Sequence, residues 1–183
     1  MEDGRECPAN NLITMVVSHG PDFAELITET DSVEETRALA CRLGRELSAG
    51  DFVALSGTLG AGKTAFVQGL AAGLGSEGTV TSPTFVLMRL HHGPIPLAHA
   101  DAYRLSGAAD LEDLGLGDWM GESVIALEWA DTVPDAIPSD RIEVHIEYAD
   151  DGRRLRIRGF GRKSANVVRE IKRQHEDTSG DVI

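Results

Sequence analysis

Eight residues in the first half of the chain, Gly57–Thr64, leave few folds open to it. They read G-T-L-G-A-G-K-T and match the phosphate-loop pattern G-x-x-x-x-G-K-[S/T] without a gap. The glycines allow a backbone path along which several N–H groups point at one anion. Lys63 adds a positive charge, and the hydroxyl of Thr64 can bind a magnesium ion held by phosphates. The run therefore predicts a site for the phosphates of a nucleotide.

The residues around this loop supply the elements that such a loop needs. Residues 51–56 are typical of a short buried strand, and residues 65–74 are typical of a helix. A helix that starts directly after the loop aims the partial positive charge of its N-terminus at a bound phosphate. The order of strand, loop and helix favours the phosphate site over a glycine-rich turn with a stray lysine.

Helix and strand signals elsewhere predict the fold class. Ser32 and Glu35 fit a capping box, and a stripe of apolar residues at helical spacing follows them. The remaining predicted strands are residues 23–28, 97–103 and 124–129, and the two arms of a hairpin around an Asp-Gly turn, 141–148 and 153–158. We expect an α/β, P-loop NTPase-like fold, with a mixed, mostly parallel sheet flanked by helices and a C-terminal β-hairpin.

Two acids follow predicted strands at places where they can reach the loop. Asp101 and Glu128 each end an apolar strand, and ligands of open α/β sheets lie beyond the carboxyl ends of the strands. Magnesium at a phosphate loop usually takes the loop hydroxyl, phosphate oxygens, waters and one carboxylate contact. Either acid can supply that contact. His91 and His92, by contrast, precede Gly-Pro and are typical of a loop rather than of a zinc site.

The identity of the nucleotide base is predicted from the absence of an element that recognises guanine. Residues 118–121 fit a D-x-x-G switch superficially, but no asparagine in the chain is followed by lysine. The N-K-x-D element that reads guanine is therefore absent from the sequence, and we expect adenine.

The last predicted strand presents arginines on both faces. Arg153 is in phase with the apolar residues Leu155 and Ile157, so we expect it to bend toward a bound ligand. The other three arginines, at positions 154, 156 and 158, share the opposite face. They are expected to be solvent-exposed charge, or alternatively a small basic contact surface.

Together these motifs resemble the TsaE (YjeE) family of ATPases, which act in bacterial tRNA threonylcarbamoyladenosine biosynthesis. The resemblance covers about residues 24–159. The motifs that carry it are the phosphate loop, Thr81–Phe85 (T-S-P-T-F), His99–Arg104 (H-A-D-A-Y-R), Asp113–Gly115 and the pair Glu128-Trp129. Thr58 departs from the acid that many members carry, and the N-terminal extension is longer than usual; neither touches the phosphate or metal chemistry.

The resemblance implies ATP and Mg²⁺ as ligands. The loop residues that it implies for ATP are Leu59, Gly60, Ala61, Gly62, Lys63 and Thr64. It also implies adenine contacts near Val33 and a nucleotide contact from Arg153. Magnesium is expected on Thr64 and Glu128.

Further roles at the site also follow from the resemblance. Lys63 and Asp101 are expected to be catalytic: Lys63 stabilises charge on the transferring phosphoryl group, and Asp101 orients the attacking water or the water shell of the metal. Ser82 and Thr84 are expected to form a switch that senses the γ-phosphate. Trp129 is expected to pack beside the site.

The activity implied is that of a slow, Mg²⁺-dependent ATPase that partner subunits stimulate. The implied partners are a threonylcarbamoyl-transferase subunit (TsaD-like) and its non-catalytic paralogue (TsaB-like), whose complex ATP hydrolysis resets between turnovers. Two alternatives stay open: a non-hydrolysing, nucleotide-dependent interaction module, and a small-molecule P-loop kinase. A kinase usually needs a lid with several arginines, and only the dipeptide Arg153-Arg154 hints at one.

Composition limits the partners and the setting. The formal net charge of −13 argues against direct binding of tRNA, which we expect to contact this chain only through its partners. No apolar run is long enough to span a bilayer, no secretory signal is visible, and two cysteines are too few for a disulfide framework, so we expect a cytoplasmic protein.

The chain length of 183 residues suits one domain. We expect residues 1–22 to be a poorly ordered N-terminal extension, residues 23–160 to be the P-loop ATPase domain and residues 161–183 to be a charged tail, partly helical or frayed.

Overall fold

The structure is a computed structural model that describes residues 14–17, 20–78, 80–83, 87–105 and 107–179. Its strands are β1 Thr14–Val17, β2 Phe23–Thr30, β3 Phe52–Ser56, β4 Met88–His91, β5 Leu97–Asp101, β6 Val124–Glu128, β7 Arg141–Ala149 and β8 Gly152–Phe160. Its helices are α1 Val33–Glu46, α2 Lys63–Gly73, α3 Ala108–Asp113 and α4 Arg162–Ser179. Short 3₁₀ turns cover Leu116–Trp119, Ala130–Thr132 and Pro134–Ala136.

The strands form one eight-stranded sheet in the order β1-β2-β8-β7-β3-β6-β5-β4. The middle strands β7, β3, β6 and β5 pair in parallel, whereas the pairs toward both edges are antiparallel. β7 and β8 form the C-terminal hairpin, with Ala149 opposite Gly152 across a two-residue turn. The expected mixed α/β fold, with a parallel centre and a closing hairpin, is confirmed.

Two hydrophobic clusters cover the two faces of the sheet. One is built from α1, α2 and α4 against the apolar side chains of the central strands and the hairpin. The other lies under α3 and the 3₁₀ turns, and it includes Phe52, Leu111, Leu116 and Leu127. The helix after the phosphate loop is packed closely against α1, so the loop is anchored to the core at both of its ends.

Both ends of the described chain add elements to this core. β1 pairs with β2 inside the segment for which the sequence predicts a loose extension. The segment after Gly161 is the helix α4, which packs on β2 and β8. The domain boundaries at residues 22 and 160 stay a prediction.

The outer face of β8 carries the three arginines at positions 154, 156 and 158. Arg154 pairs with Glu29 at 2.7 Å, and Arg158 pairs with Glu143 at 2.8 Å. Arg156 lies 3.7 Å from a carboxylate of β2. The face is exposed charge, as one of the two expectations had it, but acids of both neighbouring strands neutralise it, so it offers no basic contact surface.

None of the helices in the described part of the chain has the length and apolar character needed to cross a membrane.

Candidate functional site

The phosphate loop connects β3 to α2 through left-handed glycines. Gly57, Gly60 and Gly62 have φ angles of 135°, 76° and 114°, which side-chain-bearing residues rarely adopt. Gly62 is the N-cap of α2, and among the described residues no side chain caps this helix. The first N–H groups of a helix have no partner inside it. The loop therefore ends in a set of backbone donors suited to an anion.

Lys63 is buried and lies against its own loop. Its Nζ donates to the carbonyl oxygens of Gly57 at 2.7 Å and Thr58 at 3.0 Å. The same nitrogen lies 3.7 Å from the centroid of the Trp129 ring, a cation–π contact. Trp129 itself has a positive φ of 58°, which turns it back over the loop directly after β6.

The surroundings of Lys63 act on the pKa of its amine in opposite directions. Burial lowers the pKa of its amine below the usual lysine value, while the nearby carboxylates of Glu128, Asp131 and Asp101 act against that shift. Burial thus favours the neutral amine, whereas the three carboxylates favour the ammonium form.

Thr64 and Glu128 meet across the loop. The Thr64 hydroxyl lies 2.9 and 3.1 Å from the two carboxylate oxygens of Glu128, and it can donate to either. Nε2 of His99 lies 2.9 Å from Oε1 of Glu128, and both of these side chains are buried. A hydroxyl and a carboxylate are oxygen donors of the kind that Mg²⁺ prefers, so these residues fit the ion that the sequence predicts.

Asp101 is the neighbour of Glu128 in the sheet. β5 and β6 are parallel, and Asp101 stands opposite Glu128 in their register. The Asp101 carboxylate is buried and accepts a hydrogen bond from the backbone N–H of Tyr103 at 2.9 Å. The two acids that the sequence places at strand ends thus lie side by side at one edge of the site.

Arg153 reaches the loop from the hairpin. Its Nε donates to the carbonyl of Ala61 at 2.9 Å, and its Nη2 lies 3.5 Å from that of Gly60. Its guanidinium carbon lies 4.2 Å from the centroid of the Tyr148 ring, and the Tyr148 hydroxyl lies 3.3 Å from the carbonyl oxygen of Leu59. The hairpin therefore braces the loop by hydrogen bonds to its carbonyls.

Two cavities meet at the phosphate loop. One, of about 310 Å³, is lined by Thr30, Asp31, Ser32, Val33, Thr36, Gly60, Ala61, Gly62, Ala65, Asp151, Gly152 and Arg153. The other, of about 240 Å³, is lined by Leu59, Gly60, Gly62, Lys63, Thr64, Ala65, Ser82, Asp101, Glu128 and Trp129. They share three residues, Gly60 and Gly62 of the loop and Ala65 near the start of α2. The first cavity lies between the start of α1 and the hairpin turn, and the second contains the two acids and Lys63.

The structure brings together the site residues that the sequence predicts, as far as it describes them. Val33 and Arg153 lie on the first cavity, while Ser82, Asp101 and Trp129 lie on the second. Thr84, the other half of the expected switch, lies outside the described residues. Leu59 is 78% exposed at the tip of the loop. The structure gives the positions of these residues, and their roles stay predictions.

Three residues at the site did not figure as site residues in the sequence. His99 lies two positions before Asp101, so the two-residue period of a strand puts it on the same side. Tyr148 is the cross-strand partner of Arg153, which the length of the hairpin turn implies. Asp131 follows Trp129 in a short 3₁₀ turn, and no sequence signal singles it out.

Comparisons with known proteins agree on one family. The model of a family described as "Threonylcarbamoyl adenosine biosynthesis protein TsaE" matches residues 30–156. A relative from Streptomyces coelicolor, named tRNA threonylcarbamoyladenosine biosynthesis protein TsaE, is 46% identical over 141 residues, which cover 72% of this chain and 95% of the relative. A Bacillus subtilis protein of the same name is 36% identical over 158 residues, which cover 85% of this chain and 98% of that protein.

A solved structure is similar over the same span. The crystal structure of YdiB from Bacillus subtilis has a TM-score of 0.73 to this chain and is 32% identical to it. The match covers 86% of this chain and 99% of that one. Sequence and fold therefore lead to the same relatives.

Proposed function

The chain belongs to the TsaE family, and on that basis we propose that it binds ATP with Mg²⁺ and acts in tRNA threonylcarbamoyladenosine biosynthesis. In this proposal it is a slow ATPase that drives turnover of a threonylcarbamoyl-transferase complex. Its partners are a TsaD-like transferase subunit and a TsaB-like paralogue, and these partners hold the tRNA.

The observation that carries the proposal is the meeting of two cavities at one phosphate loop. A nucleotide laid across the loop has its phosphates at the uncapped N-terminus of α2. Its base and ribose then lie in the cavity beside Val33 and Arg153, and its γ-phosphate lies in the cavity with Asp101 and Glu128. This arrangement supports a nucleoside triphosphate better than a smaller anion.

The residues of the second cavity can carry out hydrolysis. Lys63 exchanges its two loop carbonyls for phosphate oxygens, and there it stabilises the charge that develops on the transferring group. Trp129 limits the positions that the amine can take, because the ring lies over it. Mg²⁺, held by Thr64 and Glu128, supplies charge neutralisation at the phosphates when bound. Asp101 holds and orients the attacking water.

A slow intrinsic rate is consistent with this constellation. Arginine fingers raise the rates of P-loop NTPases by large factors. Arg153 lies on the first cavity and donates to loop carbonyls, away from the acids. We propose that a partner subunit supplies or orders a group that stabilises the transition state.

Two measurements test the proposal. Calorimetric titration with Mg·ATP and Mg·GTP should show binding that favours adenine and that requires the divalent cation. Phosphate release should be slow for the protein alone and should rise when both partner subunits are added. No heat with Mg·ATP, even in the presence of the partners, contradicts the proposal.

The phosphate-release assay also separates the two alternatives. Binding of Mg·ATP without any release, in the presence of partners and tRNA, identifies a non-hydrolysing interaction module. Release that depends on a small-molecule acceptor, with transfer of the phosphate to it, identifies a kinase.

A further inference from the structure

Three side chains hold the successive carbonyl groups of the loop segment Gly57–Ala61. Lys63 donates to the first two oxygens at 2.7 and 3.0 Å. The Tyr148 hydroxyl lies 3.3 Å from the third oxygen. Arg153 lies 3.5 Å from the fourth and donates to the fifth at 2.9 Å. Because the C=O and N–H of a trans peptide point in opposite directions, side chains that hold the carbonyls turn the amides away from themselves.

Two of these three side chains form a unit of the hairpin. Tyr148 and Arg153 are cross-strand partners, one residue before and after the turn pair Ala149 and Gly152. Their contact is a stack, with the guanidinium carbon 4.2 Å from the ring centroid. A Cβ on Gly60 would lie 2.8 Å from the Tyr148 hydroxyl, so the ring edge closely follows the backbone of the loop.

Packing of the core does not account for the Tyr148 ring. The side chain is 56% exposed and is absent from both hydrophobic clusters of the described residues. Its described contacts are with Arg153 and with the loop. An exposed aromatic ring that contacts a binding loop and a cation that also contacts this loop points to a role in the site.

We propose that Tyr148 is a positioning residue for the phosphate loop. It holds the carbonyl of Leu59 directly, and it holds those of Gly60 and Ala61 through the stacked Arg153. The N–H groups of Gly60 and Gly62, which share peptide groups with the Leu59 and Ala61 carbonyls, therefore face the phosphates before a nucleotide binds, which lowers the cost of ordering them on binding. The N–H of Ala61 instead donates within the loop, to the carbonyl of Thr58. The inference rests on the proposed nucleotide-binding function and adds to it a residue that acts through the backbone.

The test compares a nucleotide with its phosphates alone. Dissociation constants for Mg·ATP and for Mg·tripolyphosphate are measured by calorimetry on the wild type, Tyr148→Phe and Tyr148→Ala. A loop that has lost its brace should bind both ligands about tenfold more weakly in Tyr148→Ala, and about two- to threefold more weakly in Tyr148→Phe, which keeps the stack. In an Arg153→Ala background the further loss from Tyr148→Ala should be smaller, because part of the effect passes through Arg153.

A matched control lies at the other end of the same hairpin. Phe160 stacks with Arg141, with the guanidinium carbon 4.3 Å from the ring centroid, and the two are cross-strand partners. Phe160→Leu removes the same kind of contact without touching the loop. It should lower the melting temperature and leave both dissociation constants unchanged at temperatures well below melting.

The outcomes separate the inference from the proposed function. If the wild type binds neither ligand, both fail. If the wild type binds both and Tyr148→Ala binds them equally well, the inference fails and the proposed function stands. A loss confined to ATP assigns Tyr148 to the base or ribose and overturns the positioning role. A wild type that binds Mg·ATP without measurable affinity for tripolyphosphate also overturns it, since a preformed loop must bind phosphates by itself.

Discussion

Lys63 shows how the surroundings of a single residue support a buried cation. It is 4% exposed, and burial lowers the pKa of its amine, with the carboxylates of Glu128, Asp131 and Asp101 acting in the opposite direction. The ammonium group donates hydrogen bonds to two loop carbonyls and lies over the Trp129 ring. The nearby carboxylates, the two loop carbonyls and the ring together offset part of the cost of burying this cation.

Substitution Lys63→Met should separate folding from binding. Methionine fills similar space without a buried charge, so the melting temperature without nucleotide should stay the same or rise. The dissociation constant for Mg·ATP should rise about 10- to 100-fold, because a charge-assisted contact to phosphate is lost. Thermal melts and calorimetry check the two halves, with Lys172→Met on α4 as the control lysine. A variant with wild-type ATP affinity removes Lys63 from the binding residues.

Glu128 should determine how strongly nucleotide affinity depends on magnesium. In Glu128→Ala the Mg²⁺ dependence of the ATP dissociation constant should flatten, because the metal loses its protein carboxylate. The variant should also lose about 1–3 kcal/mol of unfolding free energy, since Thr64 and the buried His99 lose a shared hydrogen-bonding partner. Asp131→Asn is the control, because it removes a nearby charge that is not bonded to Thr64. An unchanged magnesium titration in Glu128→Ala excludes it as a metal ligand.

At the scale of elements, local patterns predicted the parts of the molecule that short-range chemistry determines. The octet Gly57–Thr64 implies a strand before it and a helix after it, and β3 and α2 lie there. The capping box at Ser32 starts α1: Ser32 accepts from the backbone of Glu35, whose carboxylate accepts from Asp31. The hairpin turn implies the register of β7 and β8, and with it the pairing of Tyr148 with Arg153.

Pairings between distant segments were beyond the sequence patterns. The hairpin β7–β8 inserts between β2 and β3, so Arg154 and Arg156 of β8 meet acids of β2 more than 120 positions away, as Arg154 meets Glu29. The sequence predicts a charged tail for the α4 segment. Its apolar residues can be recognised as core residues only when β2 and β8, on which α4 packs, are known to be neighbours. For the same reason Thr30 and Asp31, which line the first cavity, carry no signal of their own.

The start of α4 depends on an acid from outside the helix. Asp140, just before β7, accepts hydrogen bonds from the backbone N–H groups of Lys163 and Ser164 and from the Ser164 hydroxyl. Partial burial pushes the pKa of Asp140 upward, but the hydrogen bonds from Ser164 and Lys163 and the charge of Lys163 outweigh it and hold the pKa below its ordinary value. The ionised carboxylate is therefore the form that stabilises α4.

Replacement of Asp140 should reveal this cap through pH. Because the folded pKa is depressed, its stabilisation is fully present above the ordinary aspartate pKa and disappears as pH falls through the folded value. Asp140→Ala should lose about 1 kcal/mol of unfolding free energy at neutral pH, measured by urea denaturation, and the difference should shrink in acid. Asp140→Asn, which keeps an acceptor, is the control. A loss that does not depend on pH contradicts a role for the charge.

At the scale of the whole molecule, the acidic surface is the feature that bears on tRNA. The formal net charge is −13, and the arginines on the face of β8 are paired with acids of β2 and β7. Affinity for a phosphate backbone comes largely from unpaired Lys and Arg side chains, which release counterions on binding. A protein with this charge is poorly suited to bind RNA directly, which supports the proposal that partner subunits hold the tRNA.

The isolated protein should therefore not bind tRNA by itself. Fluorescence anisotropy with labelled tRNA at near-physiological salt should show no binding at concentrations where Mg·ATP binds fully, with or without the nucleotide. The same titration in the presence of both partner subunits should show binding, and its salt dependence should be that of the partners alone, because this chain contributes no phosphate contacts. A steeper salt dependence on addition of this chain would mean that it touches the RNA, and the division of roles between acidic ATPase and RNA-binding partners would then be wrong.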